Sequence, residues 1–312
     1  MTLAVYGILC LAILISAVGC VIRVVMYAKQ PLHLRWELYP VPHEAPHRAA
    51  HGGSYFEEVD WWTKSHKPNL AGEVGAMVPE MLLLKALHEF NRPMWFRSFP
   101  FHFGLYLLIA TVKLLVISAL LLIFVPAWMA GPLGTVLHVA YLVTGVAGTV
   151  LAIVGALALM QARMTDPKLK ISTVPGDFFN LIAFVAALGT LAAGYLARGP
   201  EDPGILAIVA GLLRFDTALS IPPVLGAGLI LCGMLAAYIP YTHMSHFIGK
   251  YFTYHSVRWS DEVNLRGGRI EAKLMEYLTY RPTWSAAHMT ADGKRTWADV
   301  ATTNPWQQGE KK

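Results

Sequence analysis

Three histidines stand at the ends of long apolar runs, and imidazole in that position suits metal coordination. His102 opens the run FPFHFGLYLLIATVKLLVISALLLIF, and His243 and His246 close the run GAGLILCGMLAAYIPYTHMSHFIGKY. Antiparallel helices would bring these rings together near one face of a bilayer. Facing histidines in a helical membrane bundle are what the axial positions of a haem iron require. The alternative is ordinary interfacial imidazoles bonded to headgroups or backbone. A spacing of three residues separates His243 from His246 by about 60° on a helix, so either ring could face the cavity. Pro240, just before them, removes a helical donor and would kink the helix there.

Other ionisable groups are rare within the apolar runs, and ionisable groups at membrane depth are costly enough to be functional candidates. Lys113 follows His102 by close to three turns, about 16 Å deeper, and is expected to share its face and point into the bundle. It is a candidate for a haem propionate, a quinone carbonyl or a carboxylate. Asp177, in the motif PGDFFNL (Pro175–Leu181), is expected to cap a helix; with Asn180 it could also line a polar entrance for a quinone headgroup. Lys113, Asp177 and His243 are the candidates for quinone and proton chemistry. His138, at the start of another apolar run, could be a further haem or quinone contact or an ordinary interfacial residue. His33, His43, His47, His51, His66 and His88 lack the compact spacing of a zinc site and read as loop surface or partner contacts.

The elements that must position these residues are transmembrane helices. The chain of 312 residues is 55% hydrophobic and 14% charged, with a mean hydropathy of +0.46, which places it among integral membrane proteins. About 20 apolar residues cross a bilayer. Five segments suffice: Leu3–Tyr27, Phe101–Val125, Leu133–Met160, Phe178–Ala197 and Pro222–Lys250. The expected fold is therefore an all-α bundle of five transmembrane helices. Gly204–Leu213 is too short to span and is expected to be interfacial or re-entrant. The apolar N-terminus lacks a basic leader and reads as an uncleaved first span.

Arg23 and Lys29 follow the first span; Arg163, Lys168 and Lys170 follow the third; Lys250, Arg258, Arg266, Arg269 and Lys273 follow the fifth. The positive-inside rule then puts the N-terminus outside and the C-terminus in the cytoplasm. The division is a first helix (1–27), a cytoplasmic loop with an interfacial helix (28–100), a four-helix part (101–250) and a cytoplasmic tail (251–312). Within the loop, VPEMLLLKALHEF places Val78, Met81, Leu82, Lys85 and Leu87 near helical spacing, as for a helix on the membrane surface or under a partner.

Composition also excludes classes. The net charge of +5 comes without a basic cluster interleaved with aromatics, so nucleic-acid binding is not expected. The three cysteines, Cys10, Cys20 and Cys232, form no CxxC and cannot hold an iron–sulfur cluster alone. There is no CxxCH for covalent haem, no nucleophilic triad, no P-loop and no GxGxxG. A transporter is disfavoured by five spans without an internal repeat.

FHFGLYLL around His102, PGDFFNL around Asp177 and IPYTHMSHFIGKY around His246, in this order across the five spans, resemble the cytochrome b (gamma) subunits of respiratory nitrate reductases. The closer likeness is to the membrane subunits of heterodisulfide-reductase-like and sulfite-reductase-linked complexes. The resemblance covers about residues 1–255. It implies an electron-transfer subunit, not a standalone enzyme, in a bacterial or archaeal cytoplasmic membrane. Such a subunit passes electrons between menaquinone and a cytoplasmic iron–sulfur partner of the heterodisulfide-reductase-like kind through b haem. It also implies that His102 and His246 are the axial ligands. Val112 and Gly228 stand where two-haem members carry further histidines, so one b haem is expected, with Lys113 in part of the second haem's space. The alternative function is a haem-free membrane anchor or assembly subunit of such a complex.

Overall fold

The computed structural model describes residues 1–30, 40–51, 54–65, 69–285, 289 and 291–304. His33 and His66 lie outside these residues, as does the side chain of His51. The described residues contain helices long and apolar enough to cross a membrane at five places, and lipid association follows from that composition. These are α1 (Thr2–Lys29), α4 (Arg92–Phe124), α5 (Pro132–Thr165), α6 (Pro175–Leu196) and α8 (Pro223–Tyr238, continued by a 3₁₀ turn to Tyr241). Shorter helices include α2 (Leu70–Leu82), α3 (Lys85–Phe90), α7 (Ile205–Arg214), α9 (His246–Phe252), α10 (Arg269–Leu278) and α11 (Trp297–Thr302).

Local chemistry sets the boundaries. Asn91 accepts from the Met94 N–H and caps α4. Proline occupies the first turn of α4, α5, α6 and α8, where its missing N–H costs nothing. The run VPEMLLLKALHEF is two helices, not one. Leu84 adopts φ 53°, a left-handed conformation that ends α2 and redirects the chain into α3. Trp95 Nε1 then donates to the Leu83 carbonyl, and Tyr106 Oη to the Met81 carbonyl, fastening α2 to α4. The apolar side chains Val74, Val78 and Leu82 remain exposed on α2, as a surface-lying helix requires.

The chain forms two compact units, residues 1–24 with 71–248 and residues 25–70 with 249–312. In the first, α4 packs on α5, α5 on α6 and α6 on α8. Lipid tails are as apolar as the helices, so close backbone approach at small residues drives this packing rather than hydrophobic exclusion. A Cβ on Gly155 would meet Phe101 N at 2.4 Å, and one on Gly104 would meet Ala152 N at 2.5 Å. Likewise a Cβ on Gly228 would meet Leu191 Cα at 2.4 Å, and one on Gly194 would meet Leu225 N at 2.4 Å. These contacts pair the start of α4 with the end of α5, and the end of α6 with the start of α8. The neighbours are antiparallel. Phe101, Ala152, Ala156, Leu181, Phe184 and Leu188 form the core between them.

The first helix runs parallel to α8. Val5 and Tyr6 bury against Ile208, Ile221 and Leu225 at one end, and Gly19 packs on Pro240 and Tyr241 at the other. The apolar segment α7 does not span. It packs against α4, and its Ile208 carbonyl accepts from Tyr6 Oη.

The second unit gathers polar and aromatic side chains. Tyr55 Oη donates to Asp261 at 2.5 Å, and His43 Nε2 lies 3.5 Å from the same oxygen. These contacts, that with His43 foremost, hold the Asp261 carboxyl below its ordinary range. Trp259 is buried beside His43 and Tyr254.

The glycine contacts generate a stability prediction. Gly155→Val forces side-chain atoms into the Phe101 backbone and should destabilise the bundle by about 2 kcal/mol, within the range for overpacking. Gly189→Ala meets nothing within 4 Å and should hold or raise the thermal midpoint. Thermal unfolding in detergent, followed by tryptophan fluorescence, checks both.

Candidate functional site

The antiparallel order collects several polar residues of the spans at one end of the bundle. That end contains the beginning of α4 (His102), the end of α5 (Arg163), the beginning of α6 (Asp177, Asn180) and the residues after α8 (His243, His246).

The fifth span is broken rather than kinked. Its α-helix ends at Tyr238, a 3₁₀ turn covers Ile239–Tyr241, and Thr242 is extended. Thr242 Oγ1 accepts from the Met244 N–H and caps a second turn, His243–Ser245, before α9 begins at His246. The sequence predicts one helix through Lys250, with both histidines on it. Pro240 explains the difference, because it withholds the donor that would continue the helix. The proline leaves the Ala236 carbonyl without its helical donor, and past the break the Pro240 carbonyl accepts from Arg23 Nε at 2.8 Å.

The break delivers His246 to His102. Their ring centroids are 6.1 Å apart and the rings are inclined by 67°. His102 Nδ1 lies 2.8 Å from the Ser98 carbonyl and 3.3 Å from Ser98 Oγ. A carbonyl only accepts, so Nδ1 carries the proton and Nε2 presents its lone pair. His246 Nδ1 faces the His243 carbonyl at 3.3 Å, so it too has a backbone acceptor at Nδ1. Imidazole held through one nitrogen by a backbone carbonyl, with the other free, is the usual arrangement of a metal-ligating histidine. Two metal–nitrogen bonds of about 2 Å each, plus the ring radii, need a centroid separation of about 6 Å. The donor set fits a bis-imidazole haem iron. Among the described residues there is no group of three or more His, Cys, Asp or Glu placed for a metal ion.

A second polar group adjoins the pair. Asp177 is buried. Its Oδ2 accepts from Arg163 at 3.0 Å and from the Val174 N–H at 3.1 Å, so the carboxylate reaches back to cap α6, as its motif predicts. Its Oδ1 lies 3.6 Å from His243 Nε2. The same Nε2 is 3.5 Å from the Asn180 amide nitrogen, and Asn180 Oδ1 accepts from Tyr238 Oη at 3.1 Å. His243 therefore stands between a donor and an acceptor. Nε2 can accept from the Asn180 amide, and the Asp177 carboxylate stands at ion-pair distance from it, beyond hydrogen-bond reach. Its own side chain is 64% exposed, so this histidine connects the buried carboxylate with the outside of the bundle.

Not every predicted residue joins the site. Lys113 is exposed rather than directed into the bundle, and no hydrogen bond or ion pair reaches it among the described residues. The face of α4 that carries His102 is covered by His246 at its end, and eleven residues deeper the lysine side chain stands clear of the chain. Lys113 is thus remote in depth from Asp177 and His243. His138 is at the opposite end of the bundle, exposed, with Nδ1 paired to Tyr141 Oη one turn on at 2.6 Å. No second imidazole faces it among the described ring contacts. His88 packs against Trp95.

Sequence reasoning does not single out Ser98, Arg163 or Tyr238 as site residues. Any residue four before His102 offers the same carbonyl, so Ser98 carries no signal. Arg163 and Asp177 do carry one: opposite charges flanking a short connection between two spans. Compared with family models, curated proteins and solved structures, the chain has no match.

Removing the Asp177 carboxylate leaves Arg163 and the Val174 N–H without their acceptor. Asp177→Ala should cost about 2 kcal/mol, less than breaking a fully buried pair because Arg163 is partly exposed. Asp177→Asn keeps an acceptor for the amide and should cost about half as much. Unfolding in detergent, with hydrogen exchange at the Val174 amide, distinguishes the two.

Proposed function

We propose that this chain is the membrane cytochrome b subunit of a respiratory redox complex. It would move electrons between menaquinone or menaquinol and a cytoplasmic iron–sulfur partner of the heterodisulfide-reductase-like kind. The observation that carries the reading is the His102–His246 pair, each ring fixed through Nδ1 by a backbone carbonyl and only 6.1 Å apart. Bound between these residues, a b haem would supply one-electron transfer. Axial ligation, burial and outer hydrogen bonds are the levers by which a protein sets its potential.

One haem, not two, is the number the chain suits. Val112, where a second ligand would stand, is exposed. Gly228, opposite it in the expected pattern, is closed by the backbone of Leu191. The role of the second polar group is proton exchange with a quinone. His243 has a partner in either protonation state, Asp177 balances the charged form, and Asn180 and Tyr238 orient the ring. A quinone takes up protons as it takes up electrons, so an exposed imidazole beside the haem ligands suits that chemistry.

Orientation follows from charge. Arg163, Lys168 and Lys170 lie at the histidine end; at the other end residues 125–131 have no charge, and Arg198 and Arg214 are offset by Glu201, Asp202 and Asp216. On the positive-inside rule the proposed orientation has the His102–His246 end toward the cytoplasm, the N-terminus outside and the C-terminus inside; a bacterial or archaeal cytoplasmic membrane is what the resemblance implies. Electrons would then enter or leave on the side where a soluble iron–sulfur protein docks.

Purified protein should give a pyridine-haemochrome spectrum of b haem at about one haem per chain. His102→Ala and His246→Ala should each lose it, while His243→Ala should retain it. A well-folded protein without haem, or haem retained in both ligand variants, contradicts the proposal.

A further inference from the structure

Arg23 is the only charged residue of α1 before Lys29, which closes the helix. The ordinary role for such a residue is to reach toward headgroups. Its contacts give it another. The residue is half-buried, and its Nε donates to the Pro240 carbonyl at 2.8 Å. One turn earlier Gly19 lies against Pro240 and Tyr241, and a turn before that the Ile15 carbonyl accepts from Tyr241 Oη. Residues 15, 19 and 23 fall on one stripe of α1. The whole stripe therefore meets the residues at which the fifth span breaks.

Two donors compete for the Pro240 carbonyl. In a continuous α-helix it would accept from the N–H of Met244, four residues on. In this structure that N–H goes to Thr242 Oγ1 at 3.1 Å, and Thr242 is extended, with φ −118° and ψ 175°. Arg23 Nε takes the place of the missing N–H. Backbone groups freed within a membrane need a partner, so each donor supports one conformation. Met244 supports a helix running on through His246; Arg23 supports a chain broken at Thr242. The two conformations send His246 in different directions. With the break, a separate turn over His243–Ser245 leads into α9, and the His246 ring lies 6.1 Å from that of His102.

We propose that Arg23 is a positioning residue for His246: by holding the Pro240 carbonyl it keeps the fifth span broken at Thr242 and sets the His246 ring opposite His102. It acts through the backbone, from a helix that carries no ligand of its own. The consequence for iron rests on the cytochrome reading; the placement of the ring rests only on the contacts above.

The test has two arms, both on the full-length chain. In the first, purified protein carrying haem is followed by electron paramagnetic resonance and carbon monoxide binding. Arg23→Ala should keep haem on His102 but lose the second axial ligand from part of the population, so that the carbon monoxide-reactive fraction rises about fivefold or more. Thr242→Ala frees the Met244 N–H to return to the Pro240 carbonyl and should act in the same direction. Arg23→Lys keeps a charged donor and Thr242→Ser keeps the hydroxyl, so both should stay close to the unsubstituted protein. The second arm needs no haem. His102→Cys and His246→Cys are combined in a chain whose three native cysteines are changed to alanine, and a short bismaleimide is added. The cross-linked peptide pair, counted by mass spectrometry, should fall about fivefold or more with Arg23→Ala or Thr242→Ala and hold with Arg23→Lys. Thermal unfolding confirms that each variant is folded; should Arg23→Ala not fold, Thr242→Ala carries the same prediction. Folded variants unchanged in both arms, or Arg23→Lys as impaired as Arg23→Ala, overturn the inference. A chain that binds no haem sinks the cytochrome reading and leaves the cross-link to decide this one.

Discussion

The hydrogen bond from Arg23 Nε to the Pro240 carbonyl is the contact on which the site depends. In a bilayer a helix cannot stop without finding partners for the backbone groups it frees. Pro240 stops α8 inside the membrane region, and the first helix provides the remedy. Arg23 takes the Pro240 carbonyl, Tyr241 Oη donates to Ile15, and Gly19 lets the two helices approach closely enough for both. Only with the break stabilised can the chain turn through Thr242 and present two histidines in different directions. His246 turns to His102 and His243 to Asp177. An unbroken helix would carry both on adjoining flanks of one face.

The small residues serve the same end by different means. Gly155 and Gly104 draw α4 onto α5 backbone to backbone, fixing the depth of His102 against the end of α5. Gly228 and Gly194 do the same for α6 and α8, fixing Asp177 and Asn180 beneath His243. Much of the precision of the polar end therefore comes from contacts deeper in the apolar part. The polar residues finish the arrangement locally: a backbone carbonyl on each of His102 and His246, an arginine on the carboxylate, and a tyrosine on the asparagine.

The five apolar helices, their order and the meeting of His102 with His246 at one end of the bundle were legible from the apolar runs. So was the capping role of Asp177, because a carboxylate in the first turn of a helix has few other duties. The turn at Leu84 was not, since a leucine gives no warning of a left-handed backbone and is held there by context. Nor was the full break after Tyr238, where the proline announced a disturbance but not its size. Lys113 was misplaced for a related reason: periodicity gives the face of a helix, and only the neighbours decide whether that face is covered. The pairing of Nδ1 atoms with carbonyls was beyond pattern reading altogether, because every residue has a carbonyl.

The central claim is that His102 and His246 together hold one iron. Electron paramagnetic resonance of the oxidised, purified protein tests it most directly. A low-spin ferric signal is expected, replaced by a high-spin signal or lost when His246 is changed to a non-ligating residue. A high-spin signal in the unsubstituted protein, a low-spin signal that survives His246→Ala, or no haem signal from folded protein would contradict the account.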